Sequence, residues 1–416
     1  MQIKQMLFPM MSMALSMAPC SHLHAQGLTP VSQMEKLDRG LVALPAQDKG
    51  IFLSWRLLGT DSKNVCFDVE RDGKIIAHQV KLTNYTDRKG SSANTYRIIT
   101  YQKEPRMDAP AEREVSKAVK PWNDLYRSLP INRPAGGVTP DGKSYEYTPN
   151  DCGVGDVDGD GCDEITYGSA AINHDGTLLY STGLGHGDAQ HLADLDPDRP
   201  GLEYYMVHEE YPYGSDLRDA RTGEILFRTL DKDDTGRGVA ADIDVQHRGY
   251  ELWCSDAPVV RDIKGKSISA TTKMPAMNFR IYWDGDLQDE LLANGRPPHF
   301  PPYLQKWNGS EAVALPLSNG KQLYEMGHSV SCNWSKATPN LQADLFGDWR
   351  EEVIYWDESD ASHLNIFTTN IPTEYRVPTL MHDHIYRMGV AWQNVGYNQP
   401  PHLGYYLPDH AEKIQK

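Results

Sequence analysis

An all-β chain is what this sequence predicts, a fibronectin-like β-sandwich followed by a β-propeller, and three observations predict it. Strand-like runs separated by turns fill residues 33–104. From residue 156 onward an acidic, glycine-hinged loop leading into an apolar strand recurs along the chain. Helical periodicity is scarce throughout, so neither region reads as a bundle.

The first 25 residues read as a secretory signal: Lys4, an apolar run over 6–18, then Leu23-His24-Ala25 before Gln26. Cleavage is expected after Ala25, giving a soluble periplasmic or extracellular product. Cys20 invites a lipoprotein reading, but Pro19 before it suits a lipobox poorly. No later stretch is long and apolar enough to span a membrane. Five cysteines follow the cleavage point, an odd number without metal-site spacing. Buried thiols are expected, with Cys152 and Cys162 the one pair that could bridge. Lys+Arg number 41 and Asp+Glu 57, a net charge of −16, which argues against a nucleic-acid partner.

In residues 33–104 the runs 51–58, 66–71 and 95–99 alternate with turns such as Asp72-Gly73, the spacing of a sandwich. Trp55 is expected in its core. Residues 105–144, broken by Pro130, Pro134, Gly136, Gly137 and Gly142, read as a connector. The repeated region occupies residues 145–407.

Its most complete loop carries Asp156, Asp158, Asp160 and Glu164, alternating with glycine so that several oxygens can face one point. Hard cations such as calcium favour that ligand set. The loop opens like an EF-hand, but its twelfth position is Tyr167 where a bidentate Glu belongs, and a strand follows. A calcium-type turn between strands is therefore expected. Echoes with Asp194 and Asp196, with Asp242 and Asp244, and with Asp344 and Asp348 each lead to an acid and an apolar strand. The wide interval before Asp344 leaves room for a blade whose own loop has decayed. Periods of forty to fifty residues with several short strands suit propeller blades. Any single Asp/Gly loop could equally close a turn.

Four constellations carry possible chemistry. His186, Asp188 and Glu209, in glycine-rich surroundings, could converge on a cation or could bond loop backbones. Arg237 stands between Gly236 and Gly238, placed to offer a guanidinium to a carboxylate or to a surface ion pair. Lys336, amid Asn333, Ser335 and Thr338, could serve as a base if its surroundings depress its pKa, or could be an exposed structural lysine. Residues 392–402 combine aromatic rings and amides as a sugar-binding rim does. There Trp392 is expected in the core, and Tyr397 with Asn398 toward ligand. No nucleophile elbow, P-loop or dinucleotide fingerprint occurs. Sugar chemistry by either a glycosidase or a lyase remains open at this level.

Longer words then match a family. MEKLDRG at 34–40, WRLLGTD at 55–61, PAGGVTPDG at 134–142, YSTGLGHGD at 180–188, LQADLFGDWREEV at 341–353 and WQNV at 392–395 resemble the rhamnogalacturonan lyases of polysaccharide lyase family 11. The resemblance implies a β-domain on an eight-bladed propeller with structural calcium ions. It also implies β-elimination of the rhamnose–galacturonate backbone of rhamnogalacturonan I in pectin; a monomer is expected. By position, Lys336 matches the family's active-site lysine, Arg237 its cleft arginine and Tyr397 a tyrosine lining the cleft. Asn333 lies in the sugar-contacting loop, and His186, Asp188 and Glu209 resemble a metal site.

One departure is large. In the family a long central stretch separates a first Asp-x-Asp-Gly-Asp-Gly loop from a later copy, whereas residues 153–164 here resemble both copies at once. That implies an in-frame loss of about two hundred residues between near-identical repeats, an incomplete propeller of four to six blades, and activity that is weakened or lost. Asn150 stands where the later copy places a histidine near the metal.

Overall fold

A computed structural model describes residues 38–102, 112–130, 137–138, 144–145, 164–172, 178–209, 211–270, 273–333, 335–393 and 399–414. The leader, Cys152 with Cys162, and Asn150 lie outside the described residues.

Strands β1 (Val42–Pro45), β2 (Ile51–Ser54) and β5 (Asn84–Asp87) form one sheet of the sandwich. β3 (Cys66–Arg71), β4 (Lys74–Val80), β6 (Tyr96–Gln102) and β7 (Glu112–Val115) form the other, in the order β4-β3-β6-β7. Alternation along β2 decides what packs where. Ile51 and Leu53 enter the core with Trp55, Phe67, Val69 and Ile98, while Phe52 turns to the other face with Val42 and Leu44 against Trp122 and Phe346. Trp55 is fully buried, as its sequence context suggested.

The stretch read as a connector contributes strands. Glu112–Val115 joins the sandwich, β8 (Tyr126–Pro130) joins the last propeller sheet, and β9 (Gly137–Val138) pairs with β10 (Ser144–Tyr145). Prolines and charges at strand ends hid them from a periodicity reading.

Five sheets follow. β11 (Ile165–Tyr167), β12 (Ala170–Ile172) and β13 (Leu178–Ser181) make the first; β14 (Ala189–Ala193), β15 (Glu203–Val207), β16 (Ser215–Asp219) and β17 (Ile225–Arg228) the second. β18 (Gly238–Ala241), β19 (Glu251–Cys254), β20 (Val259–Arg261) and β21 (Ser267–Ala270) make the third. β22 (Phe279–Ile281), β23 (Glu290–Asn294), β24 (Pro302–Trp307) and β25 (Ala312–Ala314) make the fourth. In the fifth, β26 (Ser329–Val330) and β27 (Leu341–Ala343) both pair with β28 (Glu352–Asp357), which pairs with β29 (His363–Phe367), and β8 closes the edge. Meandering antiparallel sheets of this kind are propeller blades.

The C-terminal segment ties the inner strands together. β30 (Tyr375–Arg376), helix α1 (His384–Trp392), helix α2 (Leu407–His410) and β31 (Glu412–Lys413) complete the chain. Leu403 O accepts from Asp194 N, Pro401 O from Arg280, and Gln393 exchanges two hydrogen bonds with Gln342. Arg280, with no exposure, also meets Asp289 and Glu351, and the Tyr386 hydroxyl donates to Glu351. His191 and His402 sit 2.8 Å apart, fully enclosed, and burial pushes His191 down to about 3. Buried polar groups need partners, and these side chains find several of theirs on residues of other blades and of the C-terminal segment.

Each innermost strand runs from one face of the blades to the other. Loops before β14, β18 and β27 carry Asp188, Arg237 and Lys336; loops after β14, β18, β22 and β27 are the acidic ones. This topology gathers the predicted chemistry at one face and the acidic loops at the opposite face.

Candidate functional site

The first face is organised by Asp188. Its Oδ2 accepts from Lys336 Nζ at 3.0 Å, across a sequence separation of 148 residues. Its Oδ1 lies 3.5 Å from His186 Nε2, which is 3.7 Å from Glu209 Oε2. Its backbone carbonyl accepts from Arg237 Nη1 at 3.4 Å, and Arg237 Nε donates to Asn278 Oδ1 at 2.8 Å. His186, Asp188 and Glu209 present ligand atoms within 4.8 Å of one another. Lys336 and Arg237 therefore both converge on Asp188, the first at its carboxylate and the second at its backbone carbonyl.

Glycine explains how these loops come so close. A Cβ on Gly187 would fall 1.8 Å from Val207 O, and one on Gly238 would fall 2.5 Å from Val207 Cγ1. Only bare backbone lets the loops holding Asp188 and Arg237 press against the same strand. Behind Lys336, fully buried Ala337 adopts φ +54°, a left-handed conformation that costs a non-glycine residue on the order of 1 kcal/mol. The packing around buried Ala337 must therefore impose this conformation on the lysine loop. Beneath it Asn333 is exposed and bridges to Thr338.

Below His186 and Asp188 opens a cavity of about 880 Å³ with Met206, Leu192, Ile385, Met388 and Trp392 among its walls and Gln190, Gln399 and His402 as polar points. A mostly apolar pocket with few polar groups is the usual form of a small-molecule or sugar site. Trp392, expected in the core, is only partly buried and lines this cavity, because α1 turns that face toward the axis. Glu164 is exposed and lines the same cavity. Asp156, Asp158, Asp160, Tyr397 and Asn398 lie outside the described residues.

The opposite face holds the acidic loops. In each of the last four sheets a buried glutamate opening the strand that follows the acidic loop caps the loop's backbone: Glu203 accepts from Leu195 N and Asp196 N, Glu251 from Ile243 N and Asp244 N, Glu290 from Trp283 N and Asp284 N, Glu352 from Phe346 N. Burial drives these acids upward, Glu203 to about 7 and Glu251 to about 9. Asp242 is 2 % exposed, and neither of its oxygens has a partner of good geometry, the Tyr406 hydroxyl being the polar group beside it. Glu251 Oε1 is equally unsatisfied. Asp194 Oδ1 repeats the pattern, while Asp196 is met by Lys264 and Asp244 by the Trp307 indole at 3.3 Å. Paired, dehydrated carboxylates without donors fit a hard cation.

The blade expected to have lost its loop retains one: Asp284, Asp286 and Glu290 cluster after β22, with Lys306 Nζ at 2.9, 2.8 and 2.5 Å from them. Asp284-Gly285-Asp286 alone reads as a turn, and Lys306 enters from β24, so no local signal announced the cluster. Asn278 behind Arg237 was missed for the same reason.

Comparison with known proteins agrees with this architecture. Residues 32–122 match the rhamnogalacturonan I lyase β-sheet domain, and residues 126–162 and 154–416 match the C-terminal domain of rhamnogalacturonan lyase family 11. The two C-terminal matches share residues 154–162, the stretch that resembles two repeats at once. The rhamnogalacturonan endolyase YesW of Bacillus subtilis is 31% identical over 591 aligned positions, covering 91% of this chain and 92% of the relative. The exolyase YesX of the same organism is 30% identical, covering 92% and 97%. Both alignments exceed the chain's own 416 residues, so both open long gaps in it. The crystal structure of YesW superposes with a TM-score of 0.79 at 30% identity, covering 92% of this chain and 98% of that one. A family 11 lyase from Bacillus licheniformis gives 0.78 at 30% identity, covering 90% and 97%. The chain belongs to rhamnogalacturonan lyase family 11, a family of polysaccharide lyases.

Proposed function

We propose that this protein is a secreted, monomeric lyase that cleaves the rhamnose–galacturonate backbone of rhamnogalacturonan I by β-elimination, with calcium as its metal. The convergence of Lys336, Arg237 and His186 on Asp188 carries the reading. The reaction needs positive charge at the uronate carboxylate and a base at C5. Arg237, anchored by Asn278, presents a planar donor fork suited to a carboxylate. Lys336 Nζ, positioned by Asp188, is the group assigned to take the C5 proton. The released electron pair forms the C4–C5 double bond, the C4–O bond breaks, and the rhamnosyl oxygen leaves with a proton from solvent.

His186, Asp188 and Glu209 would hold one cation, and Asp242, Asp244 and Glu251 a second; the unsatisfied oxygens of Asp242 and Glu251 support the latter. When bound at the first site, a cation adds positive charge beside the sugar carboxylate. Asn333, Tyr397 and Asn398 are assigned to substrate contact, and Asp156, Asp158, Asp160, Glu164, Asp194 and Asp196 to calcium loops. Among the described residues no helix is long and apolar enough to cross a membrane.

Incubation with rhamnogalacturonan and calcium should release oligosaccharides ending in an unsaturated uronate, detected by mass and ultraviolet absorbance. The gaps opened in this chain favour one second reading, a pectin-binding remnant that does not cut. Binding without unsaturated product at high enzyme concentration would replace the first reading by that one.

A further inference from the structure

A second cavity, of about 1080 Å³, lies between the sandwich and the edge strand of the fifth sheet. Five cations line it, Arg39, Arg56, Lys117, Lys120 and Arg127, against the carboxylates of Asp38 and Asp124. That sign is the reverse of the chain's net −16. Arg39 is committed to Asp61 and Glu114, and Arg56 to Asp38 at 3.0 Å. Lys117 is 90% exposed and stands 3.9 Å from Asp38, while Lys120 and Arg127 are exposed and make no ion pair among the described residues. Two rigid aromatic groups complete the wall. Trp122 packs edge-on to Phe346 with centroids 5.5 Å apart, and Tyr126 stacks on Phe367 at 5.6 Å.

Free cations beside fixed aromatic rings suit a sugar ring that carries a carboxylate: charge meets charge, and the ring's apolar C–H face meets the aromatic surface. A neutral glycan would leave the cations unused. Register places this cleft far from Asp188. Tyr126 pairs with Phe367, and Phe367 with Val353, next to the acidic-loop end of β28. Lys336 precedes β27 at the other end, so the six residues of β28, roughly 20 Å, separate the two levels. One sugar cannot occupy both, whereas a long chain can, and a second contact raises retention without altering the first.

We propose that this interdomain cleft is an accessory binding site for uronate-bearing polysaccharide, with Lys120 and Arg127 as its ion-pairing residues. The choice of polymer rests on the lyase reading above; the electrostatics do not. The test is native electrophoresis through gels containing rhamnogalacturonan, neutral galactan or no polysaccharide, with Lys336→Ala as parent to spare the polymer. Mobility is taken relative to the polysaccharide-free gel, and thermal melting checks the fold. The parent should be retarded by the acidic polymer alone, less so as salt rises. Adding Lys120→Glu and Arg127→Glu should weaken apparent affinity about fivefold or more, two surface ion pairs being lost and reversed. The same two changes in the active chain should leave kcat/KM on short oligosaccharides unaltered. Equal retardation of parent and charge-reversed variant, retardation by galactan, or no retardation of the parent overturns the proposal. A chain that binds through this cleft yet yields no unsaturated product refutes the lyase reading and leaves the cleft standing.

Discussion

The acidic loops after β18 and β22 differ in how their charge is balanced. Both bury a glutamate that caps the loop backbone, Glu251 in one and Glu290 in the other, and neither glutamate has any exposure. Around Glu290, Lys306 reaches in from β24 and touches all three acids. Around Glu251, Asp242 is buried beside the Tyr406 hydroxyl without a hydrogen bond of good geometry, and among the described residues no lysine forms an ion pair with either acid. A run of acids therefore does not by itself specify a metal. A side chain from two strands away can supply the cation permanently, while the calcium site proposed at the neighbouring loop would have to recruit one from solution.

Breaking the tethered cation should have the largest effect. Lys306→Met leaves Asp284, Asp286 and Glu290 facing one another and should cost about 3–5 kcal/mol in chelator, the scale for removing one partner of a buried pair. Calcium should restore most of it by entering the emptied centre; chelator and calcium melts read this directly, and a variant indifferent to calcium breaks the comparison. Next in size, Asp242→Asn should lose one bound calcium by elemental analysis. With it should go about 2.7 kcal/mol of calcium-linked stability at a hundredfold excess over Kd. An unchanged calcium count contradicts the assignment.

pH sharpens the contrast further. Burial raises Glu290 from 4.5 to about 8, with Lys306 opposing the rise. As pH climbs through that interval the unfolded chain loses the proton first, so stability is fully present below about 4.5 and lost toward 8. Denaturant titrations in chelator should show that decline, extended above pH 8 in Lys306→Met. The smallest effect is expected at the second sheet's loop, where Lys264 meets Asp196 but is 59% exposed. Lys264→Ala should cost below about 1 kcal/mol.

Much of this was legible in the sequence because it is local. Trp55 follows an apolar run and sits in the core; Asp194, Asp242 and Asp344 fall after short strands and head acidic loops in the fold. The glycines around His186 and Arg237 suggest tight turns in sequence, whereas at Gly187 and Gly238 what they permit is close approach to Val207. What escaped reading depends on distant partners. Lys306 belongs to the loop of Asp284, Asn278 to Arg237, His191 to His402 and Gln393 to Gln342, across separations no hydrophobic period encodes. The loop after β22 escaped because Tyr282 stands where its neighbour has Asp242.

The most direct test compares initial rates of unsaturated-uronate formation on rhamnogalacturonan for the wild-type chain, Lys336→Ala and Arg237→Ala, at saturating calcium. Loss of the base should lower kcat by about a hundredfold or more, and loss of the guanidinium should weaken kcat/KM. Wild-type rates from Lys336→Ala would contradict a cleft in which Asp188 holds that lysine for proton removal.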